Sequence, residues 1–449
     1  MKGKMICQDL IRYYSEQYQK VIQNKILSDA IIKNGLNNTA LNHDAMIEMQ
    51  HTFSEEIATG KITDQKRTGR CWLFAGLNTM RYAISRNLGL ELSKENCFQL
   101  SQAYLMFWDK LEKANYFLES IIETRNEKIS SRLVMWLLEN PMKDGGQWDM
   151  FANLINKYGV VPRYIMPESF HSSDSSLMDN ILNLKLKQYA KLIREDFQNS
   201  RNDVLRNKKK EMIGEFYQIL CHFLGEPKGF FDFEYKDKKK KFHRIRNLTP
   251  IKFYSDYCPI NVNDFVSLIN APTNDKPFNQ VYTVKYLGNI QEGRKILYLN
   301  LENERLKDLT INQLKDGEPV WFGCDVRQML GRKDGIMDPN LYQYEEVLGT
   351  KLQFSKADRL DYGDSLLTHA MVFTGVNLLE DQPKRWKVEN SWGDENGHEG
   401  YFIMSDPWFD QFLYQVVIQK KYLSKTELSI LENSPIELEP WDPMGSLAL

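Results

Sequence analysis

Near residue 228 the hydrophobic pattern of the chain changes its period, and this change limits the fold more than any other feature. Upstream, apolar residues recur at the three- and four-residue spacing of amphipathic helices, as in "SQAYLMFWDKLEKANYFLESIIE" and "SSRLVMWLLENP". Downstream come short β-branched or aromatic runs: "KILYLNL", "PVWFGCDV", "HAMVFTGVNL", "RWKVENSW", "GYFIMSD" and "QVVIQKKYL", bounded by Gly, Asp, Asn or Pro. Helices followed by strands predict an α+β chain with two lobes. The change begins in "KGFFDFEYKDKKKKFHRIRNLTPIKFY", which reads as an exposed β-hairpin with a charged turn at 236–241.

At 449 residues the chain exceeds the size at which one core stops growing, so lobes or large insertions are expected. The pattern divides it into an N-terminal helical leader (1–60), a helical lobe (61–170), an inserted helical region with the hairpin (171–300), a β-rich lobe (301–425) and a C-terminal arm (426–449). Within the leader, "HDAMIEMQHTFSEEI" keeps helical spacing through Met46, Ile47, Met49, Phe53 and Ile57.

Lys plus Arg number 58 against 60 Asp plus Glu, a net charge of −2, so the overall field favours no strongly polyanionic partner. The basic run "YKDKKKKFHRIR" could contact nucleic acid, but Asp237 within it and Asp232 and Glu234 just before it fit a solvated hairpin better. No apolar stretch has the length of a membrane span or a signal-peptide core, which predicts a cytoplasmic protein with no membrane partner. The six cysteines, at 7, 71, 97, 221, 258 and 324, show no C-x-x-C spacing, so neither a disulfide framework nor a zinc ribbon is indicated.

Cys71 differs from the others by its setting in "QKRTGRCWLF". It opens a predicted helix that Gly89 ends, and a helix N-terminus favours a thiolate when a histidine assists. Of the seven histidines, 43, 51, 171, 222, 243 and 398 stand in polar, lysine-rich or turn contexts or on a helix. His369 instead heads the apolar strand "HAMVFTGV", where an imidazole needs a partner. Asn390, at the end of the next strand, can accept from the ring and fix its tautomer, and Trp392 can shield that bond from water. Gly145 and Gly146 in "KDGGQWDM" read either as a plain turn or as a backbone edge for an extended ligand.

The order Gln65, Cys71, His369, Asn390, with "CW" and "NSWG", resembles the papain-like cysteine peptidases, and within them the bleomycin hydrolase and aminopeptidase C branch. "QKRTGRCWLFAGLN", "NKYGVVPRYIMPES", "PVWFGCDV", "SLLTHAMVFTGV", "VENSWG" and "PWDPMGSLAL" carry this likeness from about residue 50 to the last residue. The resemblance implies a papain-like two-lobed fold with large insertions and no metal or organic cofactor. It implies Cys71 as nucleophile, His369 as base, Asn390 as orienting group, and an oxyanion hole from Gln65 and the Cys71 N–H. It also implies Gly145 and Gly146 as substrate-binding, and a homohexamer. In that branch the tail enters the cleft and its terminal carboxylate meets the substrate's amino group, a role that would fall here to Ala448 and Leu449; the bland alternative is a frayed end.

Two departures from ordinary papain-type enzymes stand out. Thr68-Gly69-Arg70-Cys71-Trp72 replaces the C-G-[SA]-C-[WY] signature, so the disulfide-forming cysteine is absent. Cys71 and His369 lie 298 residues apart, against a usual ~130 to 150. The expected function is a cytosolic thiol-dependent aminopeptidase acting on short peptides and bleomycin-like amides. Its rivals are an oligoendopeptidase of the same branch and a nucleic-acid-binding protein with a vestigial peptidase site.

Overall fold

The computed structural model describes residues 5–92, 98–139, 141–195 and 201–448; Cys97 and Leu449 lie outside them. The leader begins with the helices Gln8–Gln19 and Ile22–Asn34, which bury none of their residues. The helical pattern read through Ile57 stops at Glu48, and the following chain is extended. Glu55 and Glu56 pair antiparallel with Val376 and Gly375, and the Ile57 N–H donates to the Thr374 carbonyl at 2.7 Å. Met49 and Ile57 are buried as the spacing suggested, but a sheet edge supplies the backbone partners that decide the conformation.

The helical lobe is built around Gln102–Glu123, which the Ser101 hydroxyl caps by accepting from the Tyr104 N–H. Helices Cys71–Leu88, Trp148–Tyr158, Ser176–Glu195 and Asn202–Leu224 pack against it. Cys71–Leu88 ends where expected, at Gly89 with φ 63°, a left-handed conformation that glycine adopts without steric cost. The hairpin Phe231–Lys236 and Phe242–Leu248 turns at Asp237, whose carboxylate accepts from the N–H groups of Lys239 and Lys241. No helix among the described residues is long and apolar enough to cross a membrane.

The second lobe is a twelve-stranded sheet. Its central order is Phe265–Ile269, Leu413–Gln419, Val320–Cys324, His369–Leu379, Gln382–Glu389, Tyr401–Ser405. All six strand-like runs of the sequence contribute to it, "KILYLNL" through Tyr298–Asn300. Phe265–Ile269, Gln280–Val284 and Ile436–Leu438 join it as well. The chain therefore enters the sheet upstream of residue 301, because Phe265–Ile269 is buried on both faces and lacks the alternation that marks a half-exposed strand. The result is an α+β architecture with one apolar core under the helices and another behind the sheet, where Phe373 and Trp386 each stack on Phe409.

The two lobes meet where helix Cys71–Leu88 packs on strand His369–Leu379. A buried ion pair fastens this seam: Arg81 Nη2 lies 2.9 Å from Glu389 Oε1, with side chains 1% and 0% exposed. Arg81 also donates to the carbonyls of Thr59 and Lys61 at 3.0 and 2.9 Å. Removing one member strands a buried charge. Arg81→Met should lower the unfolding free energy in urea by about 3–5 kcal/mol, and adding Glu389→Leu should restore most of it; an unchanged midpoint for Arg81→Met would contradict this.

Candidate active site

Cys71 is the first residue of its helix, so its sulfur sits at the helix N-terminus on the seam between lobes. The Ala370 N–H donates to Cys71 Sγ at 3.4 Å, which places the thiol beside the first turn of strand His369–Leu379. His369 Nε2 and Asn390 Oδ1 are 2.9 Å apart. Asn390 Oδ1 also accepts from the Ser391 N–H at 2.7 Å, and since a backbone N–H only donates, this atom is the amide oxygen. His369 Nε2 must therefore carry the hydrogen in that bond. In the neutral ring Nδ1 is then unprotonated and basic.

The Trp392 ring covers the histidine, with centroids 4.8 Å apart, and the Arg332 guanidinium lies over Trp392 at 4.5 Å. Gln65 reaches the same place from the loop before the helix. Its N–H donates to the Ser391 carbonyl at 2.8 Å, its Oε1 accepts from the Ser391 hydroxyl at 2.6 Å, and its Nε2 donates to the Thr68 carbonyl at 2.6 Å. Ser391, to which the sequence pattern alone attached no role, thus connects Gln65 to the asparagine; its position inside "NSWG" was the available signal.

The helix N-terminus was expected to favour a thiolate, and the structure differs on this point. Burial pushes the Cys71 thiol up to about 11, overcoming the N–H groups of Ala370, Trp72 and Cys71 that favour the anion. Burial likewise brings His369 down to about 4, against the Asn390 hydrogen bond and with help from the Arg332 charge. With no imidazolium beside it, the sulfur lacks the charge that the helix dipole was expected to assist. The pair is therefore a neutral thiol and a neutral imidazole in this state.

Gly146 lies against the Trp72 ring. A Cβ on Gly146 would lie 2.4 Å from the Trp72 ring, so only glycine permits this approach. The Gly145 carbonyl accepts from Lys113 Nζ at 2.6 Å. The tail does not fray. Ile436–Leu438 runs parallel to Gln280–Val284, Arg132 lies 3.7 Å over the half-buried Trp441 ring, and Lys276 Nζ pairs with Asp442 at 3.0 Å. The Met444 carbonyl accepts from Tyr298 Oη at 3.1 Å and Gln147 Nε2 at 3.4 Å, and Ser446 Oγ donates to the Leu367 carbonyl at 2.8 Å. The last turn, Pro443–Ala448, is thereby held between the glycine loop and the approach to His369, with Met444 and Leu447 buried. Ala448 ends that turn, and the other tail residue expected at the substrate amine, Leu449, lies outside the described residues.

These features agree with the comparisons. A model of the Peptidase C1-like family matches residues 5–445. The chain is 48% identical over 441 residues to an aminopeptidase C of Listeria innocua, covering 98% of each chain. It is 43% identical over 415 residues to a bleomycin hydrolase of Gallus gallus, covering 90% of each. The crystal structure of PepW from Lactobacillus rhamnosis superposes with a TM-score of 0.96 at 46% identity and 99% coverage of both chains. With the family match spanning nearly the whole sequence, relatives alike from end to end, and a solved structure that superposes over both lobes, the chain belongs to the Peptidase C1-like family.

Proposed function

We propose that this protein is a cytosolic cysteine aminopeptidase that removes N-terminal residues from short peptides and bleomycin-like amides, working as a homohexamer. The observation that carries the reading is the seam itself: the Cys71 sulfur beside the Ala370 N–H, at the head of the strand whose histidine is held by Asn390. The aminopeptidase C and bleomycin hydrolase relatives support the substrate class.

The tautomer assigns the steps. His369 Nδ1 takes the thiol proton as Cys71 Sγ attacks the scissile carbonyl, and the ring becomes an imidazolium whose Nε2–H stays on Asn390. Because the free pair is neutral, this transfer accompanies substrate arrival rather than preceding it. The developing oxyanion is taken by the Cys71 N–H and by the second amide hydrogen of Gln65, whose first is engaged by the Thr68 carbonyl. His369 then gives its proton to the leaving amine, and the same ring activates water to hydrolyse the thioester. The Gly145 and Gly146 backbone supports the substrate strand. The tail, held at Met444 and Ser446, supports cleavage next to a free amine, and Ala448 at the end of its last turn is the residue we assign to that side of the site.

Hydrolysis of aminoacyl coumarin amides tests the reading. The wild type should cleave free-amino substrates and leave N-acetylated ones, and Cys71→Ala should cleave neither; wild-type rates in that variant would refute the nucleophile. Deletion of residues 443–449 should weaken the exopeptidase reaction and admit blocked peptides, whereas unchanged specificity would exclude the tail as its determinant.

The buried histidine also sets a pH dependence. Lowering His369 from 6.5 to about 4 means that the unfolded chain binds more protons than the folded one between those values. The corresponding stability is complete above pH 6.5 and is lost as pH falls through 4. His51 is lowered to about 4 too, mainly by burial, so the comparison needs a variant. Between pH 6.5 and 4 the wild type should lose more unfolding free energy than His369→Gln; equal losses in denaturant titrations would reject a buried neutral ring.

A further inference from the structure

The loop that delivers Cys71 has no covalent tie: Thr68 stands where papain-type enzymes carry a cysteine, and Cys71 is a free thiol. A polar junction centred on Asp144 joins this loop to the rest of the lobe. Asp144 Oδ2 accepts from the Gly69 N–H at 2.9 Å and from Ser175 Oγ at 2.5 Å. Its Oδ1 pairs with Lys110 Nζ at 2.7 Å, and the same ammonium reaches Asp179 at 2.6 Å. The Asp144 carbonyl accepts from the Trp72 indole at 2.7 Å. The next residue, Gly145, is held through its carbonyl by Lys113, one turn along the helix from Lys110.

Lys110 is completely buried, and an ammonium in that position is costly unless anions meet it. Neither apolar core requires it. It meets Asp144 and Asp179, and through Asp144 its influence reaches Gly69 and Trp72 on either side of the nucleophile, while Lys113 holds Gly145. Two groups flank Cys71 on this side: the Gly69 N–H, two residues before it, and the Trp72 indole, directly after it. Asp144 holds both at once, through different atoms.

We propose that Asp144, fixed by Lys110, is a positioning residue for Cys71, tying the nucleophile loop, the Trp72 indole and the Gly145-Gly146 rim into one rigid unit. The junction acts by geometry, because loss of one contact lets the loop shift relative to the oxyanion donors. It also acts by charge, because the carboxylate adds to burial in opposing ionisation of the nearby thiol. Asp144 itself stays ionised: burial raises it, but the Lys110 charge and the hydrogen bonds from Lys110, Ser175 and Gly69 hold it well below the usual carboxylate range.

This inference rests on the reading of Cys71 as the nucleophile, and the two can fail separately. The test uses full-length protein and two readouts, hydrolysis of a free-amino coumarin amide and the pH dependence of Cys71 alkylation by iodoacetamide. Asp144→Ala should lower kcat/KM by about a hundredfold, mostly in kcat, as a misplacement of roughly 1 Å does in such sites. Asp144→Asn keeps an acceptor for Gly69 and removes the anion, so it should lose less activity and move the alkylation midpoint to lower pH. Lys110→Gln leaves the anion uncompensated and should move the midpoint to higher pH. Opposite shifts in the two charge variants, both folded by circular dichroism, are the expected signature, and they decide the matter if Asp144→Ala does not fold. Midpoints that stay at the wild-type value or move together, or a folded Asp144→Ala with wild-type kcat, would overturn the proposal. A wild type that hydrolyses nothing while Cys71 is still alkylated would instead refute the peptidase reading.

Discussion

The buried pair of Arg81 and Glu389 holds together what the rest of the protein needs in register. Arg81 is ten residues along the helix that starts at Cys71, and Glu389 is the residue before Asn390. A rigid helix and a paired strand carry the position of this contact to their ends, so the sulfur on one lobe and the asparagine on the other keep a fixed relation. The Arg81 bonds to the Thr59 and Lys61 carbonyls add the extended leader segment to the same junction. An apolar contact could supply similar stability, but it would specify less, since a planar guanidinium meets its acceptors in few orientations.

Buried polarity is treated in two ways around the seam. Arg81, Lys110 and Lys113 are each met by a buried carboxylate, at 2.9, 2.7 and 2.6 Å, and these contacts bear on loops or strand ends. Cys71 and His369 are buried with no opposite charge beside them, and burial drives both to neutrality. A neutral thiol and imidazole are buried at lower cost than their unpaired charged forms would be.

The tail belongs to the same closed arrangement. Its apolar side chains at Met444 and Leu447 bury surface, while its carbonyl at 444 and hydroxyl at 446 take partners from both lobes, Gln147 on the helical side and Tyr298 and Leu367 on the sheet side. Ion pairing at Asp442 and the arginine over Trp441 fix the segment just before it enters. Apolar burial alone would let the segment slide; the polar contacts set its register.

The sequence by itself determined the α+β order, the helix from Cys71 to Gly89, the six runs that became strands, and the spacing of Gln65, Cys71, His369 and Asn390. These were legible because local period, turn residues and single side chains of unusual chemistry carry them. The extended course from Met49 to Ile57 and the strand Phe265–Ile269 were not, since pairing with distant strands outweighs local spacing in the first and burial on both faces hides the period in the second. Only the tertiary structure decided that burial outweighs the helix N-terminus at the thiol, and that Ser391, Arg81 and Asp144 bond to the segments around Gln65, Cys71 and Asn390. Desolvation and long-range hydrogen bonds depend on which surfaces meet. A charge such as Lys110 looks in the sequence like any other solvated lysine until folding removes its water.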